Sequence, residues 1–171
     1  AARERWLLVV VPRHPQRFGV VADLLTEAGL RVVRRSSGDL PDSRCDTWLG
    51  DSMGEVAAYV AMCDFAFVGG SLLPLGGQNF IEVCAQGKPV LMGPSTFNFA
   101  EAARAAKAAG ALVESADADA VMRRARDWGN DPALRAPHAE AASAFARAHR
   151  GATEKTLALI APALKAEPAT S

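Results

Sequence analysis

The chain has 171 residues, half of them hydrophobic, with 19 basic side chains set against 19 acidic ones. That length and apolar share fit one folded domain with a sizeable core, and they exclude a disordered chain. The charge balance lacks the basic footprint that a phosphate backbone needs, so no nucleic acid is expected as a partner, while one small anionic ligand is allowed.

Trp6 to Val11 is an apolar run too short for a helix and reads as a buried strand. A helix follows from about Pro15, with Phe18, Val21, Leu25 and Ala28 on one face and Gly29 placed to end it. Leu30 to Val33 is a second strand, and residues 36–44, rich in Ser, Gly, Asp and Pro, are a loop. Asp46 to Leu49 is a short third strand. Gly50-Asp51-Ser52 then turns into a helix over Met53 to Met62.

Phe65 to Val68 is the fourth strand, followed by a glycine-rich segment and a helical pattern ending near Gln86. Pro89 to Met92 is the fifth strand. Phe99 to Ala109 is a helix ended by Gly110, and Ala111 to Glu114 is the sixth strand. Asp117 is a fitting N-cap for a helix carrying Val121, Met122, Ala125 and Trp128. Alanine-rich helical sequence fills 132–149 and 152–164, and residues 165–171 read as a frayed tail after a single domain over 1–164. Strands alternating with helices predict an α/β domain with a doubly wound, mostly parallel sheet.

The three cysteines, Cys45, Cys63 and Cys84, form no CxxC pair, which predicts buried thiols in a reducing compartment. No apolar run reaches the ~20 residues of a membrane helix, and no signal peptide is visible, so the piece is expected to be soluble. The chain enters a core-like strand within five residues and without an initiator methionine, which predicts a piece of something longer.

In a doubly wound sheet, ligands bind beyond the carboxyl ends of the strands. Four turns at such positions carry unusual chemistry. In Pro12-Arg13-His14-Pro15, the Arg13 guanidinium can clamp a phosphate or carboxylate, or remain solvated. His14 can meet a ligand or cap local backbone. In Gly50 to Glu55, Ser52 and Glu55 have capping-box spacing, while the N–H groups of Met53 and Gly54 could meet a base or ribose edge.

The densest turn is Gly69 to Glu82, GGSLLPLGGQNFIE. Its glycine pairs bring backbone N–H groups near an anion. Ser71 can cap backbone or meet phosphate, Asn79 can cap the helix or reach a ligand oxygen, and Glu82 can hold sugar hydroxyls. Together they read as a site for a phosphorylated sugar or nucleotide. The segment has neither G-x-G-x-x-G nor G-x-x-x-x-G-K-[ST], which disfavours dinucleotide and P-loop readings. The fourth turn, Gly93 to Asn98, carries Phe97 beside Phe99, which anchor a loop or border a pocket. No metal or other cofactor is expected: the histidines and cysteines never fall at ligand spacing, and there is no nucleophile elbow or acid–base pair. His138 and His149 lie in helical surroundings far from these turns.

PRHPQRF at 12–18, RSSG at 35–38, GDSMGE at 50–55, FVGGSL at 67–72, GGQNFIE at 76–82 and PVLMGPSTFNF at 89–99 follow one another over most of the chain. In order and spacing they resemble the carboxyl-terminal part of 3-deoxy-D-manno-octulosonic acid (Kdo) transferases. The resemblance implies half of a two-Rossmann-domain (GT-B) glycosyltransferase moving Kdo from CMP-Kdo to a lipid A precursor. It also implies that this work takes place at the cytoplasmic face of the bacterial inner membrane, as part of lipopolysaccharide biosynthesis.

It implies that this domain holds the donor, while an absent amino-terminal domain carries the acceptor site, membrane contact and catalytic base, so the piece alone is expected to be inactive. It also implies that the first βα unit of the donor domain is missing. Residue by residue, it places Arg13 beside the donor's charged groups and Ser52, Met53, Gly54 and Glu55 near the nucleotide. It further implies that Gly70 and Ser71 face the donor, that Asn79 lies near phosphate and that Glu82 accepts from ribose. His14, Gly77 and Gln78 are further candidates, and no catalytic residue is expected. Gln78 stands where the family usually has histidine, so a titrating role there is not expected. The competing readings are a UDP-sugar GT-B domain, a non-catalytic flavodoxin-like module, and a scaffold for a membrane complex.

Overall fold

The structure is a computed structural model that describes residues 6–149 together with 151, 157, 158, 160 and 161. Among the described residues six strands form: β1 (Leu8–Val10), β2 (Val32–Arg34), β3 (Thr47–Leu49), β4 (Ala66–Phe67), β5 (Val90–Met92) and β6 (Leu112–Glu114). The helices are α1 (Phe18–Glu27), α2 (Val56–Met62), α3 (Ile81–Ala85), α4 (Ala100–Ala108), α5 (Ala118–Asn130) and α6 (Pro132–Ala148). Every pairing is parallel. The expected helix over 152–164 lies largely outside the described residues.

The strands hydrogen-bond as two triplets, β1-β3-β2 and β4-β5-β6, rather than as one continuous sheet. Among the described residues, the outer edges of β1 and β4 pair with no strand. Long side chains link the two triplets instead. Arg13, beyond β1, donates to Gln78, beyond β4. At the other end the Trp6 ring lies so close to Gly129 of α5 that a Cβ there would sit 2.3 Å from it. An apolar strand such as Leu8-Val9-Val10 is the kind that parallel sheets bury on both faces. Here Leu8 is half exposed and Val9 and Val10 are only partly covered.

The second triplet is covered on both faces, as a doubly wound domain requires. Side chains alternate along a strand, so Val90 and Met92 of β5 enter one core and Leu91 the other. The first core joins Phe80, Val83, Cys84, Ala103, Ala106, Leu112 and Phe145, from α3, α4, β6 and α6. Phe80 stacks on Phe145 at 6.3 Å and meets Phe99 edge-on at 6.1 Å. The opposite core joins Leu91 to Val121 and Trp128 of α5, with Phe65 against Trp128. Burial pushes the Cys84 thiol up to about 11, which keeps it inert.

Several boundaries moved for local reasons. The first helix opens as a 3-10 turn over Pro15–Arg17, and within α1 the buried residue is Ala22, while Ala28 is exposed. Helix α2 begins at Val56 rather than Met53, because Gly54 takes φ +81 and breaks the turn. The capping box does not form: the Ser52 hydroxyl donates to the Glu55 carboxylate instead of accepting from backbone. Asp117 caps α5 by accepting from Ala120 N at 2.7 Å. His138 and His149 bond to the carbonyls of Gly110 and Phe145, which makes both structural.

Candidate functional site

The turns singled out in the sequence do follow the carboxyl ends of β1, β3, β4 and β5. The turns after β4 and β5 are laced into one unit. The Ser71 hydroxyl donates to Val68 O at 2.7 Å and accepts from Gly93 N at 2.8 Å, and the Ser71 carbonyl accepts from Ser95 N at 2.9 Å. Ser95 Oγ accepts from Gly76 N, and Asn98 Nδ2 donates to the carbonyls of Leu75 and Gly77. Within the glycine-rich segment, Gly77 N donates to Gly70 O and Gln78 N to Gly69 O, so the loop closes on itself.

Gly77 is required by its place. Its φ is +73, and a Cβ would lie 2.6 Å from Met92 Cε. Ser71 departs from the expectation of a ligand-facing side chain. It is fully buried with its hydroxyl engaged on both sides, so it shapes the loop and leaves any ligand contact to backbone.

Arg13 is exposed and donates to the Gln78 side-chain oxygen. The partner is a neutral amide, which orients the guanidinium without cancelling its charge. An anion met there gains a charge-assisted bond. Asn79 and Glu82 lie together: Asn79 Nδ2 donates to Glu82 Oε1 at 2.8 Å, and Asn79 Oδ1 accepts from Ile81 N at 3.1 Å. Both are exposed and face water with polar atoms free to exchange partners. Gly70 is half-buried and Gly77 buried, while His14 is exposed and uses its carbonyl to accept from Arg17 N.

The turn after β3 is anchored to the end of β2. Asp51 is buried and accepts from Ser36 N, Ser36 Oγ and Arg34 Nε at 2.8, 2.6 and 2.7 Å. Arg35 pairs with Glu55 at 3.0 Å. The Glu55 carboxyl is held below the ordinary glutamate value, first by the Ser52 hydroxyl and then by Arg35 against a desolvation penalty. Met53 and Gly54 stand exposed at the tip. Sequence reading gave no role to Arg34, Arg35, Ser36, Asp51, Ser95 or Asn98. A charged residue placed directly after a buried strand, at Asp51, was the available signal.

Desolvation pushes the Asp51 pKa up, but the Ser36 hydroxyl and N–H and then Arg34 outweigh it and leave the net value lowered. A depressed carboxylate stabilises the fold fully above its unfolded pKa of ~3.9, and that contribution disappears as pH falls through the lower folded value. Asp51→Asn is therefore expected to cost about 1–3 kcal/mol near pH 7. The gap between the two urea midpoints should close on acidification below ~pH 4. A gap that stayed constant with pH would contradict the assignment.

Among the described residues, no His, Cys, Asp and Glu cluster is shaped for a metal ion, and no helix is long and apolar enough to cross a membrane. A depression of about 320 Å³ beside Ser115, Arg123 and Asp127 lies at the end of β6, apart from these turns.

Parallel strands covered by helices, with the four turns gathered at the strand carboxyl ends, define a Rossmann-like α/β domain. No protein-family model matches the chain. The 3-deoxy-D-manno-octulosonic acid transferase of Bordetella pertussis is 50% identical over 162 residues, covering 92% of this chain and 37% of that protein. The Haemophilus influenzae protein of the same name is 41% identical over 160 residues, covering 93% and 38%. Among solved structures, the C-terminal CMP-Kdo binding domain of WaaA from Acinetobacter baumannii superposes with a TM-score of 0.80 at 30% identity, covering 84% of this chain and 75% of that one. The chain belongs to the 3-deoxy-D-manno-octulosonic acid transferase family. It spans well under half the length of the curated relatives it matches.

Proposed function

We propose that this chain binds CMP-Kdo and acts as the donor-binding domain of a Kdo transferase that glycosylates a lipid A precursor at the cytoplasmic face of the inner membrane. The observation that carries the reading is the Arg13–Gln78 bond, which joins the turn after β1 to the glycine-rich segment. It brings the Arg13 guanidinium to the residue that precedes Asn79, whose amide donates to Glu82. The similarity to a CMP-Kdo binding domain supports the choice of cytidine and Kdo over a UDP-sugar.

In this reading Arg13 and the backbone N–H groups of the glycine-rich loop receive the donor's phosphate and carboxylate. Asn79 reaches phosphate, Glu82 accepts from the ribose hydroxyls, and the 52–55 turn borders the nucleotide. The reaction is displacement of CMP by an acceptor sugar hydroxyl. Donors preorganised toward the departing phosphate favour the transition state over the bound donor. Acceptor binding, membrane contact and the base that takes the hydroxyl proton belong to the part of the enzyme outside this chain, so the chain alone carries out no transfer. In this reading a first βα unit, also outside the chain, completes the donor domain over residues 1–164.

Calorimetric titration with CMP and UMP tests the donor. CMP is expected to bind more tightly, and Asn79→Ala and Glu82→Ala are each expected to weaken it about tenfold, as loss of a hydrogen bond to a charged partner does. Preference for UMP overturns the cytidine assignment. Unchanged CMP affinity in both variants overturns the pocket.

A further inference from the structure

Two adjacent arginines end β2, and each is tied to the turn that follows β3. Arg34 opposes Leu49 in the parallel register, which puts its guanidinium level with the residues just past the strand end. There Arg34 Nε meets Asp51 Oδ2 at 2.7 Å, and Arg35 Nη2 meets Glu55 Oε1 at 3.0 Å. Ser36 adds its N–H and hydroxyl to the same Asp51 carboxylate. The other oxygen of Glu55 receives the Ser52 hydroxyl. The Asp51 side chain is 1% exposed, whereas Arg34 is 45% exposed.

A carboxylate so deeply buried is not there for solubility, and an apolar residue would fill the space at lower desolvation cost. Its three donors all come from residues 34–36, so what it fixes is the position of one turn relative to another. The turn it fixes contains Gly54 at φ +81. Met53 and Gly54 project from that turn into water.

We infer that Asp51 is a positioning residue for ligand binding: by clamping Arg34 and Ser36 it holds the Ser52–Glu55 turn in the geometry that meets the nucleotide. The inference rests on reading that turn as part of the CMP site. Asp51 touches no ligand itself and acts through the Ser36–Arg34 brace, with Arg35–Glu55–Ser52 as the second strut.

The experiment is calorimetric titration of CMP into this chain and its Asp51→Asn, Arg34→Gln, Arg34→Lys and Arg34→Gln/Asp51→Asn variants, each checked for an intact fold by circular dichroism. Asp51→Asn is expected to weaken CMP about tenfold. Because both residues act through one clamp, the double variant should lose no more than about twofold beyond Asp51→Asn. Arg34→Lys, which keeps a cation on the carboxylate, should stay within about threefold of the parent, while Arg34→Gln should not. A general loss of packing would not be restored by lysine.

Asp51→Asn affinity equal to the parent's, or losses that multiply in the double variant, overturns the inference while leaving the CMP site standing. Absence of CMP binding by the parent overturns the site reading and this inference with it. If Asp51→Asn does not fold, the Arg34→Gln and Arg34→Lys pair decides: equal affinities in the two would overturn the clamp.

Discussion

Phe80→Ala is expected to lower the unfolding free energy by about 3–5 kcal/mol, the range for truncating a fully buried aromatic. Phe80 is 0% exposed and packs against both Phe99 and Phe145, so its truncation leaves a cavity lined by two rings. It is also the N-cap of α3 and sits between Asn79 and Glu82 in the chain. The same change should therefore loosen the pair assigned to phosphate and ribose. Urea unfolding measures the stability loss. A change below about 1.5 kcal/mol would show that the ring is not the keystone of this core.

Gly93→Ala is the second change with a large effect. Gly93 has no unusual φ; the constraint is space. A Cβ there would lie 2.4 Å from Ser71 O, 2.6 Å from Ser71 C and 2.7 Å from Leu72 N. All three are backbone atoms, so relief requires separating the turns after β4 and β5. That separation breaks the Gly93 N to Ser71 Oγ and Ser95 N to Ser71 O bonds. A loss of about 2–3 kcal/mol is expected, along with weakened CMP binding. Gly19→Ala is the contrasting case: nothing lies within 4 Å of the new Cβ and the residue is helical, so a gain of about 0.5–1 kcal/mol is expected. Equal thermal shifts in the two variants would show that the Ser71 contact is not what constrains Gly93.

The elements of this fold were legible because apolar runs such as Trp6 to Val11 and Pro89 to Met92 are short, bounded by turn residues, and separated by helical spacing. Their order gave the parallel α/β class, and the rule about strand carboxyl ends gave the location of the proposed site. What was not legible depends on pairing across space. Trp6 to Val11 reads as a buried strand, and nothing local says that among the described residues one of its edges pairs with no strand. The capping-box spacing of Ser52 and Glu55 was real, but the competing acceptor, a carboxylate held by Arg35, took the hydroxyl instead. Ser71 looked as able to meet phosphate as to tie backbone, and only the approach of Gly93, 22 residues on, decides it. Asp51 escaped notice because its partners lie 15 and 17 residues earlier, on another strand.

Among the described residues, neither of the two buried apolar clusters contains a residue before Val60. The first triplet rests instead on the buried β3, the Trp48–Tyr59 ring contact at 5.3 Å, a helix with one buried residue and ion pairs at its rim. The proposed ligand site draws Arg13 and the 52–55 turn from that half, and Asn79 and Glu82 from the other. A ligand that bridges the two would bind only when the first half is in place, and so would raise the opening free energy of that half by mass action. On the proposed site, donor occupancy and cohesion of the domain would be one equilibrium, with a bound nucleotide helping to hold residues 8–55 in register with the rest.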